Sequence, residues 1–257
     1  MDRSREPLPT RVEDTPTLPS AFHAALDAGL TTLDLSLTPA ARAAIDGHAR
    51  LLLAWTTGIN LTAIRDPAAV AIAHVVDSLT AVRLLRDRGV DRLLDMGSGG
   101  GYPGLPIAVA LPAVRALLVE PVKKKAAFLS VVAAATGLAD VVEAAPVRAE
   151  ALAADPRHRG RWPAVTVRAV ASLADLVELA FPLLAPGGCL VAWKRGDLAA
   201  ELTAAERAVD ALGGGSMTVR VVDIPGLAGH RLVVATSRGR VPTGFPRDPA
   251  ARKRRPW

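Results

Sequence analysis

The sequence predicts an α/β protein: a doubly wound, mostly parallel sheet with helices on both faces. Three observations carry this. Short apolar runs alternate with helical patterns from Val90 to Thr236. The stretch Leu93-Leu94-Asp95-Met96-Gly97-Ser98-Gly99-Gly100-Gly101-Tyr102-Pro103-Gly104 ends a buried strand in a sharp glycine turn. A second apolar run, Val114 to Val119, then ends in Glu120, which makes the pair the opening of a βαβ unit. With 257 residues, half of them hydrophobic, the chain suffices for one such domain with additions.

Taken in order, residues 1–20 carry Pro7, Pro9, Pro16 and Pro19 among mixed charges and read as a flexible leader. Ala21 to Leu37 holds a short helix ending near Gly29. Thr38-Pro39 starts the next helix, with a hydroxyl cap followed by proline in the first turn; Ile45, Leu52 and Trp55 mark one face and Gly58 ends it. A polar loop, Asn60 to Pro67, leads to a helix from Ala68 to about Arg88. Its apolar face is Val75, Val76, Leu79 and Val82, while His74, Asp77 and Ser78 share a neighbouring face. That trio reads as a hydrogen-bond cluster fixing the helix to the Asn60 loop, with chemistry as the second reading.

Val90 to Met96 is the first strand, Leu105 to Ala110 the helix behind the glycine turn, and Val114 to Val119 the second strand. Lys123-Lys124-Lys125 opens a helix ending near Gly137; positive charge at a helix start opposes the dipole, so the triplet is either a solvated face or faces an anion. Val141 to Ala145 and Val165 to Val167 are the third and fourth strands, Ser172 to Leu184 a helix, and Cys189 to Trp193 the fifth strand. Two later strands, around Met217 to Val222 and Arg231 to Thr236, flank Pro225-Gly226. The expected organisation is a leader (1–20), one domain (21–237, helical over 21–89 and sheet-based over 90–237) and a basic tail (238–257).

The formal charge is +6, and the segment Arg238–Trp257 holds seven basic residues against Asp248, so the whole excess lies there. A compact basic tail suits phosphate contacts or merely solubility. Cys189 is the single cysteine, which excludes an internal disulfide and a cysteine metal cluster; no metal is expected. The N-terminus lacks the apolar core of a signal peptide, and no apolar run reaches membrane-spanning length. A cytoplasmic setting is the expectation.

Asp95, Glu120, Glu150, Arg168 and Lys194 all fall at expected carboxyl ends of strands, where such sheets bind ligands. The glycine stretch fits two patterns. Gly99-Gly100-Gly101-Tyr102-Pro103-Gly104 satisfies the dinucleotide code, which would make the chain a nicotinamide-dependent oxidoreductase. Asp95 followed by Gly97, Gly99 and Gly101 satisfies the pattern of S-adenosylmethionine (SAM) enzymes. Pro103 and Pro106 remove backbone donors that a pyrophosphate needs, and SAM has no phosphate, so SAM is favoured. Glu120 fits the ribose hydroxyls under either reading.

The chain resembles the bacterial RsmG/GidB family from about Asn60 to Thr236. The motifs are Asn60-Leu61-Thr62-Ala63-Ile64, His74-Val75-Val76-Asp77-Ser78-Leu79, Asp95 through Pro106, Glu120 with Lys123-Lys124-Lys125 and Phe128-Leu129, Arg148-Ala149-Glu150, Arg168-Ala169-Val170-Ala171, Lys194, and Phe245-Pro246-Arg247 in the tail. The resemblance implies a Rossmann-like class I methyltransferase fold. It implies methyl transfer from SAM to N7 of a guanine in the 530-loop region of 16S ribosomal RNA, within the small ribosomal subunit and with no obligate protein partner. It further implies Gly97, Gly99, Tyr102, Ala149, Glu150 and Arg168 at the SAM site, Glu120 at the ribose, and Asn60, Arg168 and Lys194 near the target base or its phosphates. Tyr102, Trp193 and Trp55 are the aromatic candidates for stacking on a base, with core packing favoured for Trp55. A non-catalytic RNA-binding assembly factor is the remaining alternative.

Overall fold

The computed structural model describes residues 7–168 and 171–257; Ala169 and Val170 of the Arg168 motif, and the first six residues of the leader, lie outside the described residues. Five α-helical pieces precede the sheet: α1 (Ser20–Thr32), α2 (Pro39–Trp55), α3 (Pro67–Val70), α4 (Asp77–Leu79) and α5 (Val82–Asp87). Thr38 Oγ1 accepts the Ala41 N–H (3.1 Å) and Pro39 fills the first turn of α2, as the Thr-Pro pair predicts. Then come β1 (Arg92–Met96), α6 (Gly104–Ala110), β2 (Arg115–Val119), α7 (Lys123–Ala135), β3 (Val142–Ala145), α8 (Ala149–Ala154), β4 (Trp162–Arg168), α9 (Leu173–Ala180), β5 (Leu184–Arg195), α10 (Ala199–Ala211), β6 (Gly215–Val221), β7 (His230–Ser237) and α11 (Pro249–Arg254).

The sheet order is β3-β2-β1-β4-β5-β7-β6. β1 to β5 are parallel; β7 inserts antiparallel between β5 and β6. Side chains alternate across the sheet. Leu93 and Leu118 join the core under α1, α2, α6 and α7, together with Phe22, Leu52 and Phe128. Leu94, Met96, Leu117 and Val119 join the opposite core with residues of α8, α9 and α10. The N-terminal helices thus share one core with the sheet. β6 forms an edge on which Val219 and Val221 are exposed.

Several elements differ from the sequence-based expectation. The leader is not loose over residues 7–20. Its prolines leave carbonyls without N–H partners nearby, and α2 supplies donors: Arg50 reaches Val12 O (2.9 Å), Thr15 O (2.6 Å) and Pro16 O (3.0 Å), and Trp55 Nε1 reaches Pro9 O (2.6 Å). α1 runs through Gly29 instead of ending there, because a Cβ at that point would stand 2.3 Å from Val76 Cγ2; the glycine allows close packing. The expected helix from Ala68 to Arg88 forms but changes its winding: α3 widens into a π-helix over Ala71–Val76, returns to α4, and turns at Thr80–Ala81 before α5. The stretch Pro67–Asp87 has the length and apolar composition to cross a membrane, contrary to expectation, but most of it is buried inside the fold. Leu184 belongs to β5, not to α9. The register shift between Trp162 and Ala164 lets Pro186-Gly187-Gly188 bulge within that strand. α10 had no sequence signal, since its buried stripe is only Ala205, Ala208 and Val209.

Candidate active site

The glycine turn is built from its own backbone. Gly97 (φ 73°) and Gly99 (φ 53°) take left-handed conformations that side chains resist. The Gly97 and Ser98 N–H groups both donate to Val119 O (2.8 and 3.1 Å), tying the turn to the end of β2. The Gly99 N–H donates to Glu120 Oε2 (3.0 Å), and Glu120 Oε1 accepts from Val122 N (2.9 Å). Gly101 N donates to Ser98 O (2.7 Å) and Leu105 N to Gly101 O (2.8 Å). A pyrophosphate needs free N–H groups at this point; here those of Gly97, Ser98, Gly99 and Gly101 are used, and a carboxylate stands among them. The turn is therefore unsuited to a dinucleotide.

Beside the turn lies a cleft of about 430 Å³. Met96, Val119, Ala149 and Leu179 give it apolar walls, and Glu120, Glu150 and Arg252 line it. An adenosine fits this chemistry: apolar walls for the base, and two carboxylates that accept from the ribose hydroxyls and the amino group. Each oxygen of Glu120 keeps a further lone pair for a ribose hydroxyl despite its backbone bonds. Gly97, Glu120, Ala149 and Glu150 are thus brought together as expected. SAM supplies an electrophilic methyl group when bound.

Asp95 is wholly buried beneath the turn. Its Oδ1 accepts from Thr166 Oγ1 (2.7 Å), its register partner on β4. Burial pushes its carboxyl up, against the hydrogen bonds of Thr166, Ser98 and Gly104. Its side chain is built into the strand pair and does not border the cleft.

Arg168, the last residue of β4, occupies a second cluster at the same edge of the sheet. Its Nη1 donates to Asp77 Oδ2 (3.0 Å) and to Ala73 O (3.0 Å), a carbonyl in the wide π-turn. Its Nη2 stands 3.2 Å from His74 Nδ1, and its guanidinium stands 5.5 Å from the centre of the Tyr102 ring. The same His74 Nδ1 lies 3.2 Å from Ala73 O, and Nε2 meets Thr62 Oγ1 (2.7 Å), so the ring bridges the Asn60 loop, its own helix and Arg168. Of the trio on the helix face, His74 ties the Asn60 loop through Thr62, His74 and Asp77 hold Arg168, and Ser78 Oγ bonds back to His74 O (2.5 Å). Asp77 Oδ1 pairs with His230 Nδ1 (3.1 Å), and Trp193 Nε1 donates to Asp77 O (2.8 Å).

Tyr102 lies behind the turn, stacked between His48 (centroids 4.3 Å apart) and His74 (4.9 Å), with its hydroxyl buried. Burial, reinforced at His74 by the charge of Arg168, lowers both histidines to about 4, while their backbone hydrogen bonds act the other way. Neither Tyr102, Trp193 nor Trp55 offers a face to a base: all three are buried. Lys194 is not free either. It pairs with Glu201 (2.5 Å) and donates to Ala171 O (3.0 Å). Asn60 is exposed on its pinned loop.

Arg252 is the residue that sequence reasoning missed. Composition places it in the basic tail, which suits phosphate contacts or solubility, yet its Nη2 donates to Glu150 Oε1 (2.6 Å) inside the cleft. Arg247 is likewise engaged, with buried Glu178 (2.5 Å). Arg238, Arg240, Lys253, Arg254 and Arg255 remain exposed.

A glycine turn closed by Glu120, an adenosine-sized cleft and a β3-β2-β1-β4-β5-β7-β6 sheet with one antiparallel strand together define a SAM-dependent methyltransferase of the Rossmann-like class. An O-methyltransferase from Bacillus cereus, solved in complex with SAH, shares the fold: TM-score 0.57 and 16% identity, over 84% of this chain and 99% of that one. Residues 42–226 match the GidB family, described as rRNA small subunit methyltransferase G. Proteins called ribosomal RNA small subunit methyltransferase G from Dehalococcoides mccartyi (39% identical over 85% of this chain and 93% of theirs) and Roseiflexus sp. (40% over 80% and 87%) are similar to it. The chain belongs to the GidB family.

Proposed function

We propose that the protein transfers the methyl group of SAM to N7 of a guanine in the 530-loop region of 16S ribosomal RNA, acting in the cytoplasm on the small ribosomal subunit. Family membership supports ribosomal RNA as substrate. The observation that carries the SAM reading is Glu120: its carboxylate accepts the Gly99 N–H where a phosphate would have to sit, and it borders the adenosine-sized cleft.

In this reading Glu120 takes the ribose hydroxyls, Glu150 and Ala149 the adenine, and Gly97 and Gly99 keep the backbone close. Guanine N7 is an exposed lone pair, so no proton has to be removed. The N7–CH₃ bond forms as the S–CH₃ bond breaks, S-adenosylhomocysteine leaves, and positive charge passes to the base. Positioning dominates such a step. Burial and the Arg168 charge lower His74 to about 4, which makes it a weak base, in keeping with a reaction that needs none. N7 and O6 are both acceptors on the same edge of guanine. Arg168 and Asn60 serve as donors at O6 or phosphate, which turns N7 toward the methyl group without placing charge against it. Lys194 acts there only if its bond to Glu201 is exchanged. Lys123 and Lys124 and the five exposed tail residues contact phosphates, so RNA binding weakens as salt rises.

The test is tritiated methyl transfer from SAM to unmethylated 16S RNA, naked and in the small subunit, with the product mapped by N7-specific cleavage. Label on one guanine N7 is expected. Bound SAM without label on either form would move the substrate elsewhere and favour a non-catalytic assembly role.

A further inference from the structure

We propose that Arg252, carried in by the C-terminal segment, is a positioning residue of the cofactor cleft that holds the Glu150 carboxylate in place for the 6-amino group of adenine. The inference rests on the reading of Glu150 as the adenine acid. The C-terminal segment is anchored from below. Glu178, fully buried on α9, accepts from Arg247 N (2.8 Å), Arg247 Nη2 (2.5 Å) and Trp257 Nε1 (2.6 Å), and the Trp257 ring lies 4.7 Å from the Arg247 guanidinium. Burial alone would raise the Glu178 carboxyl; the Arg247 and Trp257 hydrogen bonds and the Arg247 charge outweigh it, and the net direction is down. A buried charge held in this way fixes what is attached to it.

Attached to it is α11. Asp248 caps the helix through Ala251 N (2.8 Å). Arg252 Nη1 donates back to Arg247 O (2.7 Å), and its Nη2 crosses to Glu150 Oε1 (2.6 Å). Asp175 lies 4.0 Å from its Nε. The Arg252 side chain is 12% exposed and that of Glu150 26%, so this pair is better sheltered than an ordinary surface ion pair. The grip is one-sided: it takes Oε1, and among the described residues Oε2 accepts no hydrogen bond. A carboxylate held by one oxygen keeps the other as an acceptor, and Glu150 lines the cleft. That suits an amino group and opposes a carbonyl oxygen at the same ring position.

The experiment compares binding of S-adenosylhomocysteine with that of its deaminated form, S-inosylhomocysteine, by calorimetry on the full chain. The variants are Glu150→Ala, Arg252→Ala, Arg252→Lys and the double variant Glu150→Ala/Arg252→Ala, each checked by thermal melting. Wild type is expected to prefer the amino form about tenfold. Arg252→Ala should weaken S-adenosylhomocysteine several-fold and shrink that preference, Arg252→Lys should restore most of both, and the double variant should bind no worse than Glu150→Ala. A general loosening of the tail would weaken both ligands alike, leave the preference intact and overturn the proposal. So would wild-type behaviour of Arg252→Ala while Glu150→Ala loses affinity. Unchanged affinity in Glu150→Ala would instead overturn the reading of the cleft on which the proposal stands.

Discussion

Arg168 is held in one pose by Asp77, Ala73 O and His74, with the Tyr102 ring beneath it. A planar fork can make these contacts and still keep donors for a ligand; an ammonium cannot reproduce that geometry. Arg168→Ala is expected to lower single-turnover methyl transfer about a hundredfold. Arg168→Lys should recover little of it, with circular dichroism reporting an intact fold. Methylation at the wild-type rate in either variant would remove Arg168 from the reaction. The arginine itself was legible at the end of an apolar run, and His74 and Asp77 were legible as one helix face. Their meeting was not. The residues lie more than ninety positions apart in the chain, and no local pattern encodes a contact over that separation.

At the scale of elements, the π-helical winding over Ala71–Val76 was invisible for a similar reason. The apolar periodicity continues through it, while Ala73 O, a carbonyl within the wide turn, accepts from Arg168. Such turns are frequent at functional sites. The turn and α2 hold Tyr102 between two neutral histidines, which links stability to pH. Unfolded histidine takes a proton near 6.5, whereas His48 and His74 do so near 4. Between those values the unfolded chain binds more protons, so stability falls as pH falls through that window and is full above it. From pH 7 to 5 the loss should be about 2 kcal/mol per histidine. His48→Gln, which keeps a donor for Gly100 O, should remove about half of the combined drop in urea midpoints. An equally steep drop in that variant would show that His48 is not responsible. The glycine turn, by contrast, was legible in full, because positive φ at Gly97 and Gly99 demands glycine locally.

For the whole molecule, the parallel run of β1 to β5 follows from alternating strands and helices, while their order and the antiparallel return through β7 do not. Charge gave a partial picture. The excess of +6 does lie in the C-terminal segment, but Arg247 and Arg252 are turned inward to Glu178 and Glu150, and five basic residues stay exposed. Net charge reports composition; which charges remain outside depends on buried acids that pattern reading took for core helix, as with Glu178 on α9.

The edge strand β6 has a bearing on solubility. One of its sides carries an unpaired ladder, and the run Met217-Thr218-Val219-Arg220-Val221-Val222 is strongly β-forming with a single charge in the middle. Edge strands of this kind template the stacking of further copies unless a charge interrupts them. Arg220 is that interruption, exposed between Val219 and Val221. Arg220→Val should therefore leave the melting temperature almost unchanged and yet lower the concentration at which light scattering rises; scattering that matches wild type would mean that the edge is guarded by something other than its one arginine.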